Sequence, residues 1–311
     1  MVSITKSQRV PWVALALSFL AAGVGHLYCG RIAKGLPMYF AWLLVPLGIT
    51  IAALAPPSPT SFVLLVLLPV VVVFGVYLYA AIDAWRLADR IGPGYSLRDY
   101  NRARIYWLLI VVQLVFSTGL IAGVRGFVYE AFRIPTSSMS PTILPGDRIL
   151  VRKLLTRDHV PNRGDLIVYR NPTPTGAANF IARVVAVSGD HLKIRGEQLF
   201  INGKELDRDR VPGERLKFVG NQVNGQVAVE ENSLRRYLVA YGDSKDEHAQ
   251  GDFEATIPVH HVFVLGDNRD RAKDSRHFGS IHVADIVGYV EYIYWPSESW
   301  SRFGVANDRL P

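Results

Sequence analysis

The sequence has a single cysteine, Cys29, in 311 residues, and it has no Cys/His cluster with metal-ligand spacing. The first absence excludes an internal disulfide, so an extracytoplasmic domain of this chain must hold together by core packing. The second excludes a zinc-type centre, and no metal is expected. Acids are scarce in the first 125 positions, which carry Asp83, Asp89 and Asp99 against ten Lys and Arg. The remaining residues carry 24 of each sign, so the whole excess of +7 lies in the N-terminal part. A nucleic-acid-binding protein would place its basic face on the polar domain. Here the positive charge instead flanks apolar runs, as it does around membrane spans, and no nucleic-acid partner is expected.

Half of the residues are hydrophobic. Segments 36–56, 61–84 and 106–124 are each long and apolar enough to cross a bilayer core of about 30 Å, which takes roughly 20 helical residues. Segment 12–28 is shorter and contains Gly23, Gly25 and His26, which makes it a borderline fourth span. A cleaved signal peptide is the alternative reading of this N-terminal run. The loop 86–104 holds five arginines. The positive-inside rule makes that loop cytoplasmic and sends everything after Arg125 to the far side. GVGHLYCGRIAKGL, residues 23–36, resembles a motif of small bacterial membrane hairpins, and its glycines permit close helix approach. It reads as a compact turn without chemistry, with His26 structural.

From residue 126 onward the pattern is mainly β. Strand-like runs fall at 148–151, 166–169, 180–187, 191–194, 198–201, 227–229, 238–240, 262–265 and 286–294. Turn signals such as Asn202-Gly203 separate them. The expected organisation is a membrane region over 1–125 with three to four helices, a β-rich soluble domain over 126–295, and a C-terminal tail over 296–311. Residues 191–262 read as a β subdomain or insertion, and 212–252 are too polar to assign.

Three stretches carry the chemistry. FRIPTSSMSPTILPGDRILVRK, residues 132–153, is a hydroxyl-rich loop directly after the last span. FIARVVAVSGD, residues 180–190, is a β-branched run that reads as a half-buried strand. FVLGDNRDRAKDSRHFG, residues 263–279, is a strand ending in a dense turn of acids and arginines. By itself that turn is a solvated surface or a salt-bridge scaffold.

Taken in order, these stretches resemble the bacterial type I signal peptidases over residues 126–295. Those are membrane-bound serine proteases that remove signal peptides from exported preproteins. The resemblance implies a β-rich catalytic domain, preprotein signal peptides and the lipid bilayer as partners, no cofactor, and the bacterial cytoplasmic membrane as location, with catalysis on the extracytoplasmic side. It makes Ser138 the nucleophile and Thr136 the side-chain donor of the oxyanion hole. Ile134, Pro135, Met139, Ile143, Phe180 and Ile181 would line the substrate pockets. Arg183 with Asp267, and Asp274 with Arg276, would form structural salt bridges.

The base departs from the pattern. The family places a lysine directly before the Arg-Val-Val run, and here that position is Ala182. A serine that hydrogen-bonds this lysine in the family matches Ala272. The two departures agree, because a serine kept without the lysine it orients would be an unsatisfied buried hydroxyl costing about 1–3 kcal/mol. Lys273 and His277 are the candidates for a relocated base. The alternative is an inactive homologue that still binds signal peptides or membrane partners. A purely structural membrane protein leaves Ser138, Thr136 and the pocket residues unexplained.

Overall fold

The structure is a computed structural model, and it describes residues 9–53, 59–92, 94–153, 161–173, 176–212, 225–242 and 252–306. The chain divides into two compact units, Met1–Arg125 and Gly126–Pro311.

The first unit is helical: α1 (Pro11–Leu20), α2 (Val24–Tyr28), α3 (Ile32–Ala53), α4 (Pro59–Arg90) and α5 (Ala103–Gly123). The expected borderline span over 12–28 is two helices and not one. Gly23 breaks it at φ +90°, a left-handed conformation that side-chain-bearing residues disfavour. A Cβ added to Gly25 would strike the Ala14 carbonyl and the Ser18 hydroxyl, so this glycine is what lets α2 lie against α1. His26 is fully buried, and its Nε2 lies 2.8 Å from the Asp83 carboxylate. Lys34 approaches the same carboxylate at 3.4 Å. Among the described residues, two helical stretches are long and apolar enough to cross a membrane, Val71–Arg90 and Ala103–Val128. Pro11–Leu20 and Ile32–Val45 are apolar but shorter. The side chains over the rest of α3 and the first part of α4 lie outside the described residues.

The second unit is a β structure. Strands β1 (Tyr129–Arg133) and β2 (Arg148–Arg152) flank a loop and pair antiparallel. They are followed by β3 (Leu166–Thr173), β4 (Gly176–Val187), β5 (His191–Arg195), β6 (Gln198–Ile201), β7 (Lys204–Glu205) and β8 (Arg208–Arg210). Next come β9 (Gln226–Asn232), β10 (Arg235–Tyr241), β11 (Phe253–Thr256) and β12 (His261–Leu265). The short helix α6 (Ser275–Phe278) precedes β13 (Ile281–His282), β14 (Ile286–Trp295) and β15 (Gly304–Val305). The main sheet runs β1-β2-β14-β3-β4-β12-β13, with β15 added on β14. Between β4 and β12 the chain makes two smaller sheets, β11-β5-β6-β7 and β10-β9-β8. Much of the unassigned stretch 212–252 lies outside the described residues, but β9 and β10 fall within it.

The main sheet is covered on both faces. Along β3, Leu166 and Val168 pack with Met139, Ile143 and Ile149, while Ile167 and Tyr169 pack on the other side with Ala182, Val184 and Val264. This is the period-two alternation of a strand. The stretch read as half-buried is more enclosed than that, because every residue from Ala182 to Ala186 is buried. Two sheet faces with their own cores account for its apolar run better than one solvated face does.

Residues 296–306 of the expected C-terminal tail are part of the fold. Gly304 and Val305 pair with Ile293 and Tyr292 on β14. Arg302 is 2% exposed and forks onto Asp147 at 2.9 and 2.7 Å. An arginine drawn into that burial needs its carboxylate partner, which pins the segment to the loop between β1 and β2.

Candidate functional site

The loop between β1 and β2 carries the hydroxyl-rich motif, and its own backbone closes it. Ile134 N–H donates to the Asp147 carbonyl at 2.9 Å, and Gly146 N–H donates to the Ile134 carbonyl at 2.7 Å. Asp147 also accepts from Leu144 N–H at 2.8 Å. Met139, Ile143 and Leu144 are essentially inaccessible and anchor the loop in the core. Ser138 is left half-buried at its crest, with Oγ 3.1 Å from Thr136 Oγ1. That is the only hydrogen bond to the Ser138 hydroxyl among the described residues.

The turn after β12 is fastened directly onto this loop. Asn268 N–H donates to the Ser138 carbonyl at 3.0 Å, and Asn268 Nδ2 donates to the Ser137 carbonyl at 3.1 Å. Gly266 touches the same place. A Cβ built there would sit 2.6 Å from the Ser138 carbonyl oxygen and would collide with Ala272 Cβ. Glycine is required at 266 by proximity, not by backbone conformation.

Two ion pairs frame the turn. Arg183 and Asp267 are 1% and 0% exposed in their side chains and bind in fork geometry at 2.7 and 2.6 Å. Arg183 also donates to the Gly164 carbonyl at 2.8 Å. Asp274 accepts from Arg276 Nε and Nη2, both at 2.8 Å, and from Gly266 N–H at 3.0 Å. Asp274 is the N-cap of α6 as well, which starts the helix beside the site.

These elements surround a cleft of about 410 Å³. Ser138 and Thr136 line it together with Ile134, Pro135, Met139, Phe180 and Ile181. Ile143 does not line it. That residue is fully buried beneath the loop, where it packs with Met139 and Ile149. Phe132, Val168 and Tyr169 were not anticipated as lining residues. Alternation along β3 would have placed Val168 beside the pocket residues and Tyr169 beside Ala182. Burial, with Asp274 nearby, pushes the Tyr169 hydroxyl well above the ordinary phenol range, so it stays protonated.

Ala182 and Ala272 both line this cleft and are almost fully buried, at 2% and 6% exposure. The pairing of Arg183 with Leu265 runs on toward Gly266, which brings Ala182 to the same end of β12. Ala182, Gly266 and Ala272 thus make a patch without side-chain bulk beside Ser138. Lys273 is exposed and lines the cleft. His277 is exposed on α6 and is not among the lining residues. Among the described residues no cluster of His, Cys, Asp and Glu could hold a metal ion.

Residues 105–295 match the family model described as signal peptidase, peptidase S26. The chain belongs to that family. A signal peptidase I from Pseudomonas aeruginosa is 31% identical over 241 residues, covering 69% of this chain and 78% of the relative. A signal peptidase I from Bacillus caldolyticus is 28% identical over 58% of this chain and 88% of its own length. A Staphylococcus aureus protein named inactive signal peptidase IA is 27% identical over 61% of this chain and 93% of its own. Membership in the signal peptidase family accounts for a β-rich unit that holds a serine-bearing loop against a charged turn, and it supports the removal of signal peptides as the general activity.

Proposed function

We propose that this chain is a membrane-bound serine endopeptidase that removes signal peptides from exported preproteins, with Ser138 as nucleophile and Lys273 as the base. The observation that carries this reading is that Ser138, Thr136 and Lys273 line one mainly apolar cleft. Ser138 Oγ passes its proton to the Lys273 amine and attacks the carbonyl carbon of the scissile bond. The C–N bond breaks, the amine of the mature protein leaves with that proton, and the signal peptide remains as an acyl ester on Ser138. The Thr136 hydroxyl, beside Ser138 Oγ at 3.1 Å, donates to the developing oxyanion. Water, giving up a proton to the same Lys273 amine, then cleaves the ester, which frees the signal peptide as a carboxylic acid and returns the hydroxyl to Ser138. Lys273 carries its amine on a flexible four-carbon stem, and no hydrogen bond or ion pair holds it among the described residues. The neighbouring carboxylate of Asp274 is already taken by Arg276 and Gly266 N–H. An apolar substrate segment entering the cleft would exclude water from the space between this amine and Ser138.

The basic loop 86–104 supports an orientation with that loop in the cytoplasm and the catalytic unit outside. The substrate is a preprotein whose signal helix lies in the bilayer, cleaved after a small residue that fits the pocket formed by Ile134, Met139 and Ile181.

A second reading is favoured by the Ser138 hydroxyl's single partner. In that reading the chain is a signal peptidase homologue that binds signal peptides without cutting them. The name of the Staphylococcus aureus relative fits such a role. Cleavage of a preprotein by the purified chain separates the two. Activity present in the native chain and absent in both Ser138→Ala and Lys273→Ala supports the relocated base. Activity retained in Lys273→Ala removes Lys273 from the mechanism. A silent native chain that Ala182→Lys brings to life replaces the first reading with the second.

A further inference from the structure

The small sheet β10-β9-β8 grips the turn that holds Ser138. Ala240 on β10 forms a parallel bridge with Asn268. Ala240 N–H donates to the Asp267 carbonyl at 2.7 Å, and Arg269 N–H donates to the Ala240 carbonyl at 2.8 Å. Asn268 is therefore held between two backbone hydrogen bonds, and Asn268 is the residue that clamps Ser137 and Ser138.

The side chain after it locks this arrangement. Arg269, 5% exposed, reaches into the small sheet and forks onto Glu230 of β9 at 3.0 and 2.6 Å. Glu230 is fully buried and also accepts from Tyr237 Oη and from Arg208 Nε, each at 2.8 Å. The Tyr237 ring lies under the Arg183 guanidinium, 4.0 Å from it, so the same sheet also touches the Arg183–Asp267 pair. A carboxylate with no solvent contact holds its place only when its lone pairs are filled, and here two arginines and a phenol fill them.

We propose that Glu230 and Arg269 are positioning residues for the Ser138 loop, and that the β8–β10 sheet is the rigid body against which Asn268 holds the nucleophile in register. The chain of contact is Glu230 to Arg269, Arg269 through its neighbour Asn268, and Asn268 to the carbonyls of Ser137 and Ser138. Reacting groups displaced by about 1 Å can lose on the order of a hundredfold in rate, so this link sets turnover without touching substrate. The proposal rests on the peptidase reading for its kinetic consequence only.

Arg208 supplies the control, because it fills the same carboxylate from β8 but, among the described residues, makes no hydrogen bond to the turn. The test uses the full chain in detergent, with Arg269→Gln, Arg269→Lys and Arg208→Gln. Each is measured for kcat and KM on a preprotein, for melting temperature, and for hydrogen exchange of the Asn268 amide. Arg269→Gln is expected to speed that exchange about tenfold or more, the scale of losing a charge-assisted hydrogen bond, and to lower kcat at unchanged KM. Arg269→Lys should recover part of both. Arg208→Gln should lower the melting temperature while leaving exchange at Asn268 and kcat near native. Exchange unchanged in Arg269→Gln, or raised equally in Arg208→Gln, would overturn the proposal. If the native chain cleaves nothing, the peptidase reading fails, and the exchange measurement still decides whether the link exists.

Discussion

Asp267→Ala tests the most enclosed ion pair among the described residues of the β unit. Its partner Arg183 has a side chain only 1% exposed, and it is also fixed by the Gly164 carbonyl and the Tyr237 ring. Removing the carboxylate cannot free the guanidinium to reach water, so an uncompensated charge stays in the core. Breaking a buried pair in this way costs about 3–5 kcal/mol. For a unit of this size each kcal/mol lowers the melting temperature by roughly 2–4 °C, which gives a fall of roughly 6–20 °C. The assay is thermal unfolding of the full chain in detergent, followed by the circular dichroism of the β unit. Glu254→Ala removes an exposed partner of Lys193 and serves as control, with melting expected near native. The double variant Arg183→Met/Asp267→Leu removes both charges and should melt above Asp267→Ala alone. Melting of Asp267→Ala within about 2 °C of native would refute the reasoning, since a desolvated charge left alone cannot be that cheap.

Two further outcomes follow from distances and burial. Gly266→Ala places a methyl 2.6 Å from the Ser138 carbonyl. It should push the loop off its hydrogen bond to Asn268 and lower kcat by about tenfold or more while the fold survives, and unchanged kcat would show that the contact is slack. Burial alone would raise the Glu230 carboxyl, but Arg269 and Arg208 hold it down to about 2. A folded-state value below the ordinary one of about 4.3 gives stability that is complete above about pH 5 and is lost progressively as pH falls toward 2. The urea midpoint of the native chain should therefore approach that of Glu230→Gln as pH is lowered from about 5 to 3, and a gap that stays constant would contradict the assignment.

What could be read beforehand follows the range of each interaction. The strands at 166–169, 198–201 and 262–265 announce themselves by β-branched and aromatic runs between turns, and the structure has β3, β6 and β12 there. Strand β1 went unseen because Tyr129–Arg133 shows neither alternation nor a turn before it, and pairing with β2 is what makes it a strand. The Arg269–Glu230 link joins residues 39 apart, and no local pattern points from a turn rich in arginine to one glutamate in a distant hairpin. Ile143 was expected in the pocket from the family resemblance, yet it is fully buried beneath the loop with Met139 and Ile149. In the helical unit, Gly23 and Gly25 were legible as close-approach residues, but the break that Gly23 makes in the helix depends on a positive φ that hydropathy does not encode.

Arg302 and Asp147 are separated by 155 positions, yet their fork fixes the loop that displays Ser138. A chain cut after β14 keeps the serine, the cleft walls and both flanking ion pairs, but not the clasp. The end of the chain thus acts at a distance on the nucleophile loop, and a truncation just before Arg302 would leave a folded sheet with an unfastened crest.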